Sequence, residues 1–178
     1  MPGHGVPANP EAGKVPTADL SRTARWGAMV EISPLTGSDR ANWEVLARGQ
    51  NAYFGTEISD DGYEQTWQRL LDGEQRRGIA ARLDGKMVGI AHYVFHAAIW
   101  GVGRCYLADL FVDPEVRRRG VATAMLKWMA WDAEEHGAPR LYWNTLDDSP
   151  ARALYDKVAT FHEGLIHYSY RRDANQRS

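Results

Sequence analysis

Three consecutive arginines and a glycine stand where the sequence predicts that a helix begins, in the string DPEVRRRGVATAML at residues 113–126. Aligned peptide dipoles give a helix start partial positive charge, so basic residues are unfavourable there. The first turn also carries backbone N–H groups without intrahelical partners, and a glycine lets a ligand approach them closely. Arg117, Arg118, Arg119 and Gly120 could therefore bind a multiply charged anion such as phosphate. A solvated basic helix start that binds nothing is the alternative.

Two common phosphate-binding motifs are absent from the sequence. No G-x-x-x-x-G-K-[ST] string occurs, which excludes a P-loop. No G-x-G-x-x-G follows a predicted strand, so the fingerprint of a dinucleotide-binding fold is missing as well. An anion site here must therefore belong to another class.

Cysteine and histidine offer less chemistry. The single cysteine, Cys105, excludes an intramolecular disulfide and fits a reducing compartment. No histidine or carboxylate pattern around it suggests activation, so we predict a buried small residue. His92 and His96 fall on a predicted strand, where a rise of about 3.3 Å per residue separates them by roughly 13 Å. They cannot share an ion, and we predict no metal site; His92 could instead face a substrate cleft.

The elements that position these residues follow from hydrophobic period and turn signals. A short strand begins at Val30 and ends at Pro34. Asp39 is predicted to cap a helix over residues 40–54, and a second helix covers residues 62–72. The spacing of the first helix marks an inward face formed by Trp43, Leu46, Ala47 and Tyr53.

A hairpin and a long helix form the middle of the chain. Asp84-Gly85, within residues 78–100, is a strong signal for a turn between two antiparallel strands. Residues 104–114 form a third strand, which is apolar on both faces and therefore central. A helix follows over residues 119–136, and Gly137 ends it. The residues whose spacing places them on its inward face are Val121, Met125, Trp128, Met129 and Asp132.

The last third alternates strand and helix. Residues 140–146 are predicted as a buried strand, and Ser149-Pro150 as the N-cap and first turn of a helix over residues 151–159. A final strand covers residues 164–172. Hairpins early and alternation late predict a mixed sheet.

The string RRRGVA, residues 117–122, resembles the [QR]-x-x-G-x-[GA] signature of the GNAT N-acetyltransferase superfamily. It lies between a strand and an amphipathic helix, as it does in that family. YWNT at residues 142–145 and ARALYDKVA at residues 151–159 agree, and the chain resembles the histone- and polyamine-acetyltransferase-like branch from Val30 to Arg172. The resemblance implies an α/β GNAT fold: a mixed, mostly antiparallel sheet of about six to seven strands, splayed at its centre and flanked by about four helices.

The resemblance also implies acetyl-CoA as co-substrate. It would lie where the strands LADLFV and RLYWNT splay apart, with its pantetheine arm on the backbone of the first strand and its pyrophosphate on the arginine-flanked helix start. The implied cofactor-binding positions are Leu110, Phe111, Val112, Arg117, Arg118, Arg119, Gly120, Val121, Ala122, Thr123, Asp148 and Ala151. Many relatives carry Asn at the position of Asp148, and a carboxylate near a polyanion is unfavourable, so that contact is in doubt.

The implied reaction is acetyl transfer to a primary amine by direct attack in a ternary complex. Tyr155 would be the acid that protonates the leaving thiolate, and a packed aromatic residue is the alternative. Asp109 is either the base or a structural carboxylate, because Ala108 stands where relatives often carry a polar residue. Acceptor-facing candidates are Tyr53, Glu57, His92 and Trp143. A non-catalytic acyl-CoA-binding sensor or scaffold is the alternative function.

Composition limits the remaining classes. The 178 residues carry a net charge of −2, which disfavours nucleic acid as a partner, and no apolar run is long enough for a membrane span. Residues 1–28 are rich in Pro, Gly and Ala and lack the apolar core of a secretory signal, so we expect a disordered extension and a cytoplasmic protein. The GNAT domain would cover residues 29–173, followed by a tail at 174–178. The acceptor would be a small-molecule or protein amine, and the edge strand at 164–172 could form a homodimer.

Overall fold

A computed structural model describes the backbone of residues 24–26 and all of residues 30–73 and 75–168. The chain divides into two units, one ending at Asn144 and the other beginning at Thr145. Most of the predicted extension at 1–28, and the tail at 174–178, lie outside the described residues. Ala24–Trp26 nevertheless form a strand, so regular structure begins earlier than the predicted boundary at residue 29.

Six strands form one sheet in the described part of the chain. They are β1 (Ala24–Trp26), β2 (Val30–Pro34), β3 (Arg76–Leu83), β4 (Lys86–His96), β5 (Arg104–Val112) and β6 (Arg140–Tyr142). Their order in the sheet is that of the sequence, and every pair is antiparallel except β5 and β6, which are parallel. The mixed, mostly antiparallel sheet is confirmed.

The hairpin between β3 and β4 turns at Asp84 and Gly85, whose φ angles are 50° and 79°. Two successive residues in the left-handed region match the right-handed twist of the flanking strands, which is why Asp-Gly is favoured there. The prediction of this hairpin is confirmed, and it places β4 at the centre of the sheet.

The described residues contain four α-helices: α1 (Arg40–Tyr53), α2 (Asp60–Leu71), α3 (Val121–Glu135) and α4 (Arg152–Val158). Trp43 of α1 packs against Trp67 of α2, with ring centroids 5.0 Å apart, and both are buried. The predicted inward position of Tyr53 is wrong, because this residue is 57% exposed. At 100° per residue, Gln50 returns to within about 20° of Trp43, whereas Tyr53 lies about 80° away.

Asp39 does not cap α1 with its side chain. It ends a short 3-10 turn, and its carboxylate accepts hydrogen bonds from the backbone N–H of Thr36 at 2.9 Å and from Arg82 at 2.6 Å. Burial opposes ionisation, but these two donors together lower the pKa of Asp39 below its usual value. The residue therefore ties the start of α1 to β3 rather than satisfying the helix itself.

A buried carboxylate, Asp132 of α3, lies beneath β4 and is only 2% exposed. The hydroxyl of Tyr93 donates to it at 2.7 Å, Arg77 lies 3.7 Å away, and Nδ1 of His136 lies 3.2 Å away. Among the described residues, Nε and Nη2 of Arg77 have no hydrogen-bond partner. This group, called the Asp132 network below, joins α3 to β3 and β4.

Cys105 on β5 is fully buried, as predicted. Burial raises the pKa of its thiol to about 12, since a thiolate is poorly solvated inside the protein. The thiol has the properties of a packing group rather than of a nucleophile.

The unit beginning at Thr145 contains α4, which starts at Arg152, slightly later than predicted. Ser149 still acts near this helix start, since its hydroxyl accepts the N–H of Ala151 at 3.3 Å. Residues 164–168 form no strand, and Leu165 and Ile166 are exposed, which contradicts the predicted last strand over these residues. Its remainder, at 169–172, lies outside the described part.

No helix in the described ranges has the length and apolar character needed to cross a bilayer.

Candidate active site

The sheet opens between β5 and β6. The two strands pair only from Arg104 to Tyr106 on β5 and from Arg140 to Tyr142 on β6, while β5 continues to Val112. The predicted buried strand at 140–146 is therefore shorter than expected, and Arg140 and Tyr142 are exposed. In the described chain, β6 leaves the second half of β5 without a partner strand on that side.

The predicted pantetheine positions, Leu110, Phe111 and Val112, lie in this second half of β5. On the opposite edge they pair with Ala91, Ile90 and Gly89 of β4. An extended ligand could add to β5 as a strand at the opening, because the backbone groups there face no strand of the described sheet.

A β-bulge interrupts β5 at the start of the opening. His92 pairs with Asp109 and Tyr93 pairs with Leu107, so Ala108 is the additional residue. Bulges turn a side chain away from its regular direction and are frequent beside active sites. Ala108 is exposed and carries no polar group, so Asp109 is the ionisable side chain that the bulge orients.

The loop after β5 has the shape of an anion site. Arg118 and Gly120 have φ angles of 66° and 81°, and Arg117, Arg118 and Arg119 are all exposed. A left-handed arginine costs about 1–2 kcal/mol, so the surrounding structure enforces this conformation. Turns of this kind direct backbone N–H groups into one concave surface that binds anions.

The first turn of α3 continues this surface with Val121, Ala122 and Thr123. It contains no acidic residue and no side-chain cap, and a Cβ on Gly120 would meet no atom within 4 Å. Open space, uncapped N–H groups and three arginines together fit a pyrophosphate. The residues present are therefore suited to the phosphate end of a coenzyme A molecule.

Arg117 connects this loop to α1. Its Nε donates to the carbonyl oxygen of Val112 at 3.4 Å, and its guanidinium lies 5.4 Å from the ring centroid of Tyr53. Tyr53, predicted to face the acceptor, thus lies against a predicted cofactor-binding arginine. Glu57 is exposed in the α1–α2 loop, and Trp143 is half-buried directly after β6.

Asp109 is held from two sides at the bulge. Oδ1 accepts a hydrogen bond from Nε2 of Gln50 at 2.8 Å, and Oδ2 lies 3.3 Å from Nδ1 of His92. Nε2 of His92 accepts a hydrogen bond from Nε1 of Trp43 at 2.8 Å. The His92 side chain is 12% exposed, whereas that of Asp109 is 44% exposed. These four residues are called the Asp109 network below.

The network favours the carboxylate form of Asp109. The hydrogen bond to His92 contributes most to lowering its pKa, burial opposes this, and the hydrogen bond from Gln50 adds to the lowering. Asp109 therefore presents a negative charge to solvent at neutral pH. Gln50 and Trp43 were not predicted as site residues, although their spacing of seven on α1 places them on one face.

The predicted site residues Tyr155, Asp148 and Ala151 lie in the unit that begins at Thr145. Tyr155 on α4 is half-buried, and burial raises the pKa of its phenol, so it remains protonated at neutral pH. Asp148 is exposed, and Ala151 directly precedes α4. Across the described ranges, no three side chains of the metal-ligating kinds come together.

Comparison with known proteins identifies the family. The model of the acetyltransferase (GNAT) family matches residues 43–161. The D-amino-acid N-acetyltransferase of Saccharomyces cerevisiae is 27% identical over 135 residues, covering 73% of this chain and 84% of that protein. The thialysine N-epsilon-acetyltransferase of Caenorhabditis elegans is 29% identical over 89 residues, covering 49% of this chain and 56% of its own.

A solved structure shows the same fold. AAC(6')-Iy in complex with the bisubstrate analogue CoA-S-monomethyl-acetylneamine has a TM-score of 0.70 and 18% identity, covering 82% of this chain and 100% of its own. The matched family model spans more than half of the chain, including β5, α4 and the loop at residues 113–120, called the arginine loop below. The protein therefore belongs to the acetyltransferase (GNAT) family and is an acyltransferase.

Proposed function

We propose that the protein transfers the acetyl group of acetyl-CoA to a primary amine by direct attack, with Asp109 as the group that binds the incoming ammonium and receives its proton. The observation that carries the proposal is the arrangement of β5: an ionised, half-exposed carboxylate at the bulge, an open strand edge beyond it and the arginine loop at its end. Acetyl-CoA supplies the activated acyl group as a thioester.

An alkylamine has a pKa of about 10.4, so it reaches the protein as an ammonium that cannot attack. A fixed carboxylate attracts this cation and provides an acceptor for the proton that must leave before the amine attacks. Asp109 is the carboxylate we propose for that role, since it lies at the bulge and its side chain is 44% exposed. Backbone N–H groups at the open edge of β5 are suited to stabilising negative charge on the carbonyl oxygen.

Tyr155 is proposed as the acid that protonates the departing thiolate. The support is its position in the string ARALYDKVA, which resembles the family, and its protonated phenol at neutral pH. The acceptor class follows from the charge of Asp109 and from the relatives, whose names include a D-amino acid and thialysine as substrates. A primary amine on a small molecule is therefore the acceptor we propose.

The test measures release of free CoA thiol with acetyl-CoA and a panel of amines: D-amino acids, thialysine, lysine, polyamines and an aminoglycoside. Turnover of one or more of these supports the proposal. Binding of acetyl-CoA without turnover of any amine would instead support the non-catalytic sensor or scaffold. Failure of acetyl-CoA to bind at all would contradict both.

Binding is measured by thermal unfolding with Gly120→Glu as the disruptive variant. Gly101→Glu is the matched control, because Gly101 also has positive φ, at 86°, and open space around it, but lies in the β4–β5 loop. Acetyl-CoA at 100 times its dissociation constant should add about 2.7 kcal/mol to the parent protein. We expect Gly120→Glu to abolish this gain and Gly101→Glu to retain it. Equal gains in both variants would show that the anion binds elsewhere.

A further inference from the structure

We propose that His92 is a positioning residue that fixes the carboxylate of Asp109, and that Trp43 selects the His92 tautomer needed for this. The inference rests on the proposed function of Asp109 and adds the device that orients it. The device spans two elements far apart in sequence, since Trp43 lies on α1 and His92 on β4, 49 residues later.

The direction of each hydrogen bond follows from the donor properties of the side chains. An indole N–H can only donate, so Nε2 of His92, at 2.8 Å from Nε1 of Trp43, must accept and carries no proton. The proton of the neutral imidazole then lies on Nδ1. Nδ1 faces Oδ2 of Asp109 at 3.3 Å, so His92 donates to the carboxylate. The contact with Trp43 thereby favours the neutral tautomer with its proton on Nδ1 over the tautomer with its proton on Nε2.

Gln50 restrains the second carboxylate oxygen. It is buried on α1, seven residues after Trp43, and its amide donates to Oδ1 of Asp109 at 2.8 Å. Each oxygen thus has one donor on the protein side, which prevents rotation of the carboxylate about its bond to Cβ. The Asp109 side chain is still 44% exposed, so an ammonium could reach the carboxylate.

The same geometry argues that His92 acts through Asp109. Its side chain is 12% exposed, and both ring nitrogens form contacts within the protein. His92 therefore has no free polar atom with which to bind the amine substrate. His92 was predicted to face the acceptor cleft. Its contacts instead suit it to act on the substrate indirectly, through its hydrogen bond to Asp109. A misplacement of about 1 Å at a reacting group can cost about 10²-fold in rate, so fixing Asp109 has a measurable effect.

The first test reads the network without substrate. Nitrogen-15 and proton NMR of the full-length protein should show His92 with its proton on Nδ1. Trp43→Phe should lose that pattern, whereas Trp67→Phe should keep it, because Trp67 is equally buried and contacts the Trp43 ring but is not the donor to His92. A proton on Nε2 in the parent protein, or equal behaviour of the two variants, would overturn the proposal.

The second test uses two substitutions of His92, which remain informative if Trp43→Phe fails to fold. His92→Asn keeps an N–H donor near the position of Nδ1, and His92→Leu removes it. We expect the carbon-13 titration midpoint of Asp109 to rise in His92→Leu and to stay near the parent value in His92→Asn. We expect kcat to fall by about 10²-fold in His92→Leu, with partial recovery in His92→Asn and no change in the KM for acetyl-CoA.

Equal loss of kcat in both His92 variants, with an unchanged Asp109 titration in each, would overturn the positioning role, because it would reflect packing alone. The outcome is distinguishable from failure of the proposed function. If the parent protein shows the expected tautomer and titration but acetylates no amine, the proposed function fails and the hydrogen-bonded network stands. If amines are acetylated while the tautomer is the opposite one, only the positioning proposal fails.

Discussion

Strand β4 carries two carboxylate networks on its two faces, through adjacent residues. His92 donates to Asp109 beside α1, and Tyr93 donates to Asp132 of α3. The two networks are alike in that each has a donor on β4 and a carboxylate and connects the sheet to a helix: Asp109 accepts from Gln50 of α1, and Asp132 itself lies on α3. Asp132 is 2% exposed, however, and Asp109 is 44% exposed.

Exposure is the main difference between the two networks, and it decides which carboxylate a ligand could reach. The charge of Asp132 is directed entirely toward groups of the protein, including the buried guanidinium of Arg77, so it has no capacity for a ligand. The side chain of Asp109 is 44% exposed although two protein side chains contact its carboxylate. A carboxylate that is restrained on one side and open on the other is suited to binding a cation.

The largest effect should come from Asp109→Asn, which removes the negative charge of the Asp109 network. Turnover should fall by about 10²–10⁴-fold if Asp109 is the base. The free energy of unfolding should change by about 1 kcal/mol or less, because the new amide can still accept from His92 and a rotated Gln50 can accept from it. Steady-state kinetics and urea unfolding measure the two quantities. Unchanged turnover would remove Asp109 from the mechanism.

Asp132→Asn should have the opposite profile. It leaves the buried cation of Arg77 without its counter-charge, which should reduce the free energy of unfolding by about 3–5 kcal/mol. In conditions where the protein stays folded, kcat should stay close to the parent value. Adding Arg77→Met should restore part of the lost stability, because the uncompensated charge is then gone. If the double variant is less stable than Asp132→Asn, the charge pair is not the cause.

Tyr93→Phe tests the hydrogen bond that β4 donates to the Asp132 network. It keeps the buried ring and removes the hydroxyl that donates to Asp132 at 2.7 Å. A hydrogen bond to a charged group contributes about 1.5–3 kcal/mol, so urea unfolding should show a loss in that range. Acetyl transfer should be unaffected, which contrasts with His92→Leu one residue earlier. A large loss of turnover in Tyr93→Phe would show that the two faces are coupled.

The smallest predicted effects concern the pH dependence of stability, which should differ between the two networks. The pKa of Asp109 is lowered in the folded state, mainly by His92, so its stabilisation exists above the unfolded pKa of about 3.9 and is lost as pH falls below it. The pKa of Tyr93 is raised well above its usual value, by burial and then by the charge of Asp132. Its stabilisation is therefore present below about pH 10 and is lost as pH rises above that value.

Unfolding curves across this range should show a weaker acid dependence in Asp109→Asn and a weaker alkaline dependence in Tyr93→Phe. Asp109→Asn should leave the alkaline dependence unchanged, and Tyr93→Phe should leave the acid dependence unchanged. The opposite pattern would show that the pH dependence of stability comes from other groups.

Local signals predicted much of the fold. The Asp84-Gly85 turn fixed the β3–β4 hairpin, and the period of apolar residues located α3, because both patterns depend on neighbours within a few positions. The length of β6 was not predictable in this way, since Trp143 and Asn144 continue the apolar and polar pattern of a strand. Pairing there ends at Tyr106 and Tyr142, and the point at which two strands stop pairing depends on the arrangement of the sheet rather than on local sequence.

The site was predictable where a motif is contiguous. RRRGVA identified the loop whose backbone geometry fits an anion, and LADLFV identified the strand of Asp109. The contacts among Trp43, Gln50 and His92 have no contiguous signal, because they join α1 to β4 through tertiary packing. Tyr53 shows an error of helix spacing, since it was predicted on the inward face of α1 and is 57% exposed, with its ring 5.4 Å from the guanidinium of Arg117.

The buried thiol of Cys105 makes β5 accessible to a different kind of measurement. With a pKa of about 12, only about one thiol in ten thousand is ionised at pH 8, and the side chain is shielded as well. Alkylation of the protein's single cysteine should therefore require transient opening of the strand that carries Asp109. The alkylation rate would report how often β5 separates from its neighbours, and slower alkylation with acetyl-CoA would link that local opening to ligand binding.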